Sequence, residues 1–217
     1  MQPARTRLLL GLTSAATVAA TAYVALPSPD TGPRLVPRAV YDPVRASASA
    51  ADWVAHADHV VVLDVTGEEP RGGPDAFGCL GRSVTARVAE GLWAREGAPA
   101  LPKDVTMRVD GWYGADGTDG DGRREAGVEA APRIEPGHRY VVALVVKGRT
   151  AEPVGVDAVV PYDGGTVGAG EFEGRTVAPD AYRDAVEQPA EDTVAEHLSV
   201  PGRSARDVRP LLSSASG

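Results

Sequence analysis

Residues 139–147 read Arg-Tyr-Val-Val-Ala-Leu-Val-Val-Lys, a run of seven apolar side chains between two basic ones. Because no polar residue interrupts the run, a strand formed by it has to be covered on both faces. Pro136 and Gly137 come shortly before it and supply a turn. The run therefore predicts the central strand of a sheet, around which the other elements are arranged.

Further segments of the chain have strand patterns. Residues 60–66 are a β-branched run, and residues 84–93 and 105–110 alternate apolar with polar side chains. These two alternating segments are expected to pair as an antiparallel hairpin with one wet and one dry face. Residues 154–160 predict a fifth strand, and Val167 begins a short sixth.

Helices are predicted on both sides of these strands. Ser49 and Asp52 have the spacing of a capping box, and apolar residues follow at helical spacing. This pattern predicts a short helix over residues 49–57. Residues 179–187 and 192–198 predict two further helices after the strands.

Two other stretches are predicted to lack regular structure. Residues 67–81 are rich in Gly and Pro, which predicts a long loop. Residues 201–217 are rich in Ser, Arg and Gly, which predicts a disordered tail. A single globular domain is therefore expected over residues 47–200.

The N-terminal segment has the pattern of an export signal. Two arginines precede nineteen uncharged residues, 8–26, and Ala20-Thr21-Ala22 supplies a small-residue cleavage site. The alternative is an uncleaved membrane anchor, because this length approaches about 30 Å of hydrocarbon at about 1.5 Å per residue. Under both interpretations residues 1–26 lead the chain out of the cytoplasm, to be secreted or held in the cell membrane. The Pro-rich residues 27–46 are expected to form an extended linker.

Composition argues against several partner classes. Thirty acidic and twenty-two basic residues give a net charge of −8, which opposes binding to nucleic acid or to an anionic lipid surface. Contact with a membrane is therefore expected only through the N-terminal segment. The single cysteine, Cys79, cannot form an internal disulfide, and no motif indicates a cofactor.

Three stretches carry a resemblance to a known fold. They are Ala-Asp-His-Val-Val-Val-Leu at residues 57–63, Val-Thr-Ala-Arg-Val-Ala-Glu-Gly-Leu-Trp at residues 84–93 and Glu-Pro-Gly-His-Arg-Tyr-Val-Val-Ala-Leu at residues 135–144. With the order of elements over residues 50–170, they resemble small exported bacterial domains with an OB-fold-like barrel, including the netrin/TIMP-like type. The resemblance implies a mainly β fold. The fold that it implies is a small antiparallel barrel of five or six strands, with a short helix before it, one or two helices after it and a binding surface on one face.

The sequence offers no strong catalytic pattern. His56 and His59 lie at element ends rather than in the spacing of a zinc site, and the Asp-rich loop at residues 110–125 does not fit an EF-hand register. The nucleophile pattern G-x-S-x-G is absent from the sequence. The sequence therefore predicts no catalytic residue, no metal ligand and no cofactor.

We expect instead an exported, non-enzymatic module that binds an envelope or extracellular protein or ligand. Trp112 and Tyr113 come directly after a predicted strand, where aromatic rings can line a binding face. The Gly/Asp loop after them adds Asp116, Asp119 and Asp121 to this face.

Two alternatives remain open at the level of sequence. The first is a metal-dependent or hydrolytic extracytoplasmic enzyme whose site is assembled from His59, Asp64, Asp110 and His138. The second is a structural accessory protein tethered to the membrane by its N-terminal segment.

Overall fold

The computed structural model describes residues 38–39, 47–73, 78–113, 124–186 and 203–216. The described strands are β1 (Arg38–Ala39), β2 (His59–Arg71), β3 (Cys79–Ala94), β4 (Asp104–Tyr113), β5 (Arg124–Glu125), β6 (Gly127–Val128), β7 (Arg139–Lys147), β8 (Thr150–Pro153), β9 (Val159–Pro161), β10 (Gly170–Phe172) and β11 (Arg175–Val177). The described helices are α1 (Ala50–His56), α2 (Pro179–Val186) and α3 (Val208–Ala215), with 3₁₀ turns at Val156–Ala158, Asp163–Gly165 and Ala205–Asp207.

Five strands close into a barrel. Strand β2 pairs with β3 along one edge and with β7 along the other, and the circuit continues from β3 to β4, from β4 to β8 and from β8 to β7. Within this circuit only β4 and β8 run parallel. The order of strands is consistent with an OB-like barrel, and the prediction of a mainly β fold with flanking helices is confirmed.

The central strand is buried on both faces, as its sequence predicts. Tyr140, Val142 and Leu144 of β7 point into the barrel, while Val141 and Ala143 belong to a second core on its outside. All five side chains are fully buried. Strand β2 divides its side chains in the same way, so the β2–β7 pair separates two apolar layers.

The outer core lies between this pair of strands and the helical segments. Trp53 of α1 is fully buried there, and its indole Nε1 donates a hydrogen bond to Ser47 O at 2.6 Å. Helix α1 begins with the predicted capping box between Ser49 and Asp52. Helix α3 contributes Val208 and Leu212 to the same core and contacts α1.

Three predictions about local structure are wrong. The described parts of residues 67–81 are mostly strand, because β2 extends to Arg71, β3 begins at Cys79, and residues 67–71 of β2 pair with β3. The fifth strand predicted at residues 154–160 forms only at its end, because Val156–Ala158 are a 3₁₀ turn and β9 begins at Val159. Strand β8 lies before the predicted range, and β8 and β9 pair with different parts of β7.

The third wrong prediction is the disordered tail after Pro201. Residues 203–216 are not a disordered tail, since they form a 3₁₀ turn and helix α3, whose apolar side chains are buried in the outer core. Strand β10 begins three residues beyond Val167, where the short sixth strand was expected to start. Helix α2 forms where residues 179–187 predict it.

The remaining predictions concern residues that the structure does not describe. They are the export segment at residues 1–26, most of the linker at residues 27–46 and the helix at residues 192–198. In the described ranges, no helix has the length and apolar character needed to cross a membrane.

Candidate functional site

The barrel closes at the seam between β4 and β8 over a short length only, so an opening remains beside the pairing. These strands share one register position, Thr106 opposite Thr150. Val154 N donates to Ala143 O at 2.9 Å, so the backbone groups of Val154 face β7. Successive residues of a strand point their N–H and C=O groups to opposite sides, so those of Ala151 and Pro153 face β4. Because proline has no N–H, the parallel ladder cannot continue past Pro153.

A groove with a volume of about 270 Å³ occupies this opening. Its lining comes from residues 108–110 of β4 and from two longer segments on either side. We call residues 126–135 the charged wall and residues 150–159 the ladder wall. Half-buried apolar side chains from all three segments line the groove: Val109, Val128, Pro132, Pro153, Val154 and Val156.

Glu171 fixes the backbone of the charged wall. Its carboxylate is 1% exposed and accepts hydrogen bonds from Arg133 N and Ile134 N, both at 3.0 Å. It also accepts from Gly174 N at 2.7 Å and from the Tyr140 hydroxyl at 2.7 Å. One carboxylate thus satisfies two buried N–H groups of a wall that has little ladder pairing.

Two buried arginines hold the same wall from the barrel side. Arg82, which is fully buried, donates to the carbonyl oxygens of Arg133 and Ile134 and to Glu68 Oε2. Arg133 donates to Ala126 O of the same wall at 3.2 Å, to Gly111 O of β4 at 2.9 Å and to Glu135 Oε1 at 3.2 Å. Among the described residues, no buried side-chain nitrogen or oxygen is left without a hydrogen-bond partner.

The network holds Ile134 in an unusual backbone conformation. Its φ of 64° is in the left-handed region, which a β-branched residue rarely adopts. Glu171 binds the N–H of Ile134 and Arg82 binds its carbonyl oxygen at 2.9 Å, so charged groups secure both sides of the residue. Such strain persists only where the surrounding structure enforces it.

Burial also changes the acidity of two groups in the network. Burial, reinforced by the negative charge of Glu171, raises the pKa of Tyr140 well above its usual value. The hydroxyl therefore stays protonated and donates to Glu171 at neutral pH. Burial and then the positive charge of Arg133 lower the pKa of Arg82, whereas Glu68 opposes this shift.

The predicted binding face lies beside the groove. Trp112 is half-buried, and the guanidinium carbon of Arg133 lies 5.6 Å from the centre of its ring. Tyr113 is also half-buried and is opposite Cys79 in the sheet register. The loop residues Asp116, Asp119 and Asp121 lie outside the described residues.

The four residues considered for an enzyme are not gathered into one site. His59 and Asp64 lie five positions apart on β2, about 16 Å along an extended strand. His138 Nδ1 instead lies 2.6 Å from Asp163 Oδ2, and Asp110 lines the groove. Across the described ranges, no group of three or more His, Cys, Asp or Glu side chains is arranged to hold a metal ion.

A second cavity, of about 530 Å³, lies where β2 and β3 meet the connection to β4. His59, Leu101 and Lys103 contribute to its lining, and one ring nitrogen of His59 lies 2.7 Å from Pro99 O. The groove is the stronger candidate, because buried charged side chains fix the position of its charged wall.

Sequence reasoning missed the groove and the network, although one signal was available. Arg82 is in phase with the inward-facing Val84 and Ala86 of β3, so the alternation itself places a charge inside the barrel. Glu171 had no comparable signal because β10 is too short to show a pattern. No family model matches the chain, and a search of curated proteins finds no match.

Proposed function

We propose that this protein is an exported, non-enzymatic binding module that holds its ligand in the groove between β4 and β8. The observation that carries the proposal is the charged wall, whose backbone is fixed by Arg82, Arg133 and Glu171 beside an open cavity. A wall that keeps its shape before the ligand arrives lowers the entropic cost of binding. The buried network supplies that rigidity where strand pairing does not.

The energetics support a role other than stability. Moving charged groups out of water is costly, and buried ion pairs are often replaceable by apolar residues without loss of stability. An apolar plug would close this end of the barrel more simply than two arginines, a tyrosine and acidic side chains. The network instead maintains the strained turn at Ile134 that borders the groove.

We also propose the type of barrel to which the domain belongs and the export of the protein from the cytoplasm. A helix before the barrel and a helix after it support placing the protein with the netrin/TIMP-like type of OB-like barrel. The arginines and uncharged segment at residues 5–26 support export, with an envelope or extracellular protein or ligand as the partner. Mass spectrometry of the native protein tests export: a mature N-terminus near Tyr23 indicates cleavage and Met1 an anchor, whereas recovery in the cytoplasm contradicts it.

Filling the groove tests the binding function. In the full chain, Val156→Trp places an indole among the lining residues, whereas Thr176→Trp adds the same side chain at an exposed position of β11. We expect affinity capture from the cell envelope to recover a partner with the wild type and with Thr176→Trp, and to lose it with Val156→Trp. Identical captured sets for all three proteins would contradict the proposal.

A second variant tests the face beside the groove. Trp112→Ala with Tyr113→Ala removes the ring under Arg133 and its neighbour. We expect this folded double variant to retain less of the same partner. Full retention would remove these two residues from the proposed site while leaving the groove in place.

A further inference from the structure

We propose that the ligand of the groove is a short, extended peptide segment with aliphatic side chains, which pairs with β4 as an added strand. This inference rests on the proposed function and names the chemistry of the ligand. It depends on four observations: the backbone of β4, the opposite wall, the size of the groove and the charges that line it.

The outer edge of β4 offers a donor and an acceptor to the groove. Val88 N donates to Lys103 O at 2.8 Å, so Lys103 faces β3, and by alternation Val105, Met107 and Val109 do as well. Thr106 and Arg108 therefore point their N–H and C=O groups away from β3. Thr106 meets β8, but within the described residues no strand pairs with this edge of Arg108.

The opposite wall presents an acceptor without a matching donor. The carbonyl of Pro153 faces the groove, because Ala151 and Pro153 turn their backbone groups toward β4. A peptide residue that binds the N–H and C=O of Arg108 would continue the sheet where the β4–β8 ladder stops. Pairing of an extended peptide with an open strand edge is a common mode of peptide recognition.

The groove limits the length of the segment. It is bounded by the Thr106–Thr150 pairing on one side and by the Trp112–Glu125 pairing on the other. The residues 107–111 between them span about 17 Å of strand. The volume of about 270 Å³ is at the lower limit for sites that enclose a whole small molecule. A stretch of about three residues suits these limits.

The charges favour a neutral, apolar segment. Among the described lining residues, Arg108 and Arg133 balance Asp110 and Glu152. Arg133 is engaged by Glu135, and Glu152 by Lys147. The formal charges of the lining therefore sum to zero, so an ionic ligand gains no net attraction. Valine and proline side chains can instead contact aliphatic groups from the alternate positions of a strand.

The test uses full-length protein and a defined peptide probe. The probe is an equimolar pool of acetylated pentapeptide amides with Ser at both ends and Ala, Val, Ile, Leu or Thr at the three central positions. A control pool carries the same side chains with the three central amides N-methylated, which removes the donors that a strand needs. Nuclear magnetic resonance reports on the Arg108 amide through its chemical shift and its exchange with solvent.

We expect the first pool to shift the Arg108 amide and to slow its exchange, and the N-methylated pool to bind at least about tenfold more weakly. No response of Arg108 at millimolar peptide, or an equal response to both pools, would overturn the inference. Self-association of the protein through the same edge, seen as a concentration-dependent change without peptide, would also overturn it in favour of a second copy.

Matched variants distinguish binding through the backbone of Arg108 from binding through its side chain. Arg108→Ala keeps the outward N–H and should bind the pool like the wild type, whereas Arg108→Pro removes it and should lose binding. Pro153→Ala keeps the inference testable if Arg108→Pro fails to fold. This substitution restores an N–H that can extend the β4–β8 ladder into the groove, so we expect the peptide to bind more weakly. Pro99→Ala, at an exposed position away from the groove, is the control.

Failure of this inference is distinguishable from failure of the proposed function. The capture experiment with Val156→Trp measures use of the groove without any peptide. A partner that depends on the groove, together with no response to the pools, contradicts only the peptide chemistry. If Val156→Trp captures the same set as the wild type and the pools also give no response, the binding function itself is contradicted.

Discussion

The two walls of the groove are built in different ways. The ladder wall follows β7, with four register pairs between Leu144–Lys147 and Thr150–Pro153, so its backbone groups are largely satisfied by other backbone groups. The charged wall has only the short strand β6, and its N–H and C=O groups are bound by the side chains of Arg82, Arg133 and Glu171.

This difference shows where charge is structurally important in the protein. The Lys147–Glu152 pair on the ladder wall is exposed, and such pairs contribute little to stability because water already solvates both groups. The charged side chains that hold the charged wall, Arg82, Arg133 and Glu171, are buried, so water cannot replace a hydrogen-bond partner that is removed. Equivalent substitutions on the two walls should therefore have very different effects on the free energy of unfolding.

The largest expected effect is that of Glu171→Ala. The change removes the acceptor of two wall N–H groups, of Gly174 N and of the Tyr140 hydroxyl. We expect a loss of about 3–5 kcal/mol in the free energy of unfolding, measured by urea denaturation. A loss below about 1 kcal/mol would show that the wall does not depend on this carboxylate.

Tyr140→Phe should cost about 2 kcal/mol at pH 8, because it removes the bonds to Glu171 and from Glu135 N. The raised pKa predicts how this cost depends on pH. Above about pH 10 an unfolded tyrosine releases its proton while folded Tyr140 retains it, so rising pH favours unfolding of the wild type.

The phenylalanine variant lacks this contribution, so the difference between the two proteins should narrow by about 1.4 kcal/mol per pH unit above pH 10. Burial also raises the pKa of Tyr182, but that residue is common to both proteins and does not affect the difference. Parallel stability curves from pH 9 to pH 11 would contradict the prediction.

A smaller, stabilising effect is expected for Ala130→Gly on the charged wall. Ala130 has a φ of 55°, in the region that glycine adopts at little cost. Its N–H, which donates to Glu173 Oε1 at 2.9 Å, is retained by the substitution. We expect a gain of about 0.5 kcal/mol in chemical denaturation, and a clear loss would show that the conformation is not strained.

The smallest effect is expected for Glu152→Ala on the ladder wall. Its carboxylate contacts the exposed Lys147 side chain, so the loss should stay within about 0.5 kcal/mol in the same urea assay. This substitution is the matched control for Glu171→Ala. Equal losses at the two glutamates would remove the distinction between the walls.

The features that the sequence predicts correctly are those set by local patterns. The spacing of Ser49 and Asp52 predicts the start of α1, and the uninterrupted apolar run of β7 predicts a strand covered on both faces. The order of such elements was enough to expect a barrel. Its closure by β8 was less accessible, because that strand has only four residues and one register position on β4.

The groove could not be predicted because its parts are distant in sequence. Glu171 binds residues that lie nearly forty positions earlier, and Arg82 reaches carbonyl groups about fifty positions later. Helix α3 was missed for a different reason. Ser204 and Asp207 repeat the capping-box spacing, followed by Val208 and Leu212 on one helical face, but the many serines and arginines around them favoured disorder.

The contact between α1 and α3 has a consequence for biosynthesis. Residues 203–216 are synthesised about 150 residues after Trp53, with which they share a core. This layer therefore cannot close before residues 203–216 have left the ribosome. Until then the nascent chain exposes the apolar surface of α1, which makes that surface a target for chaperones.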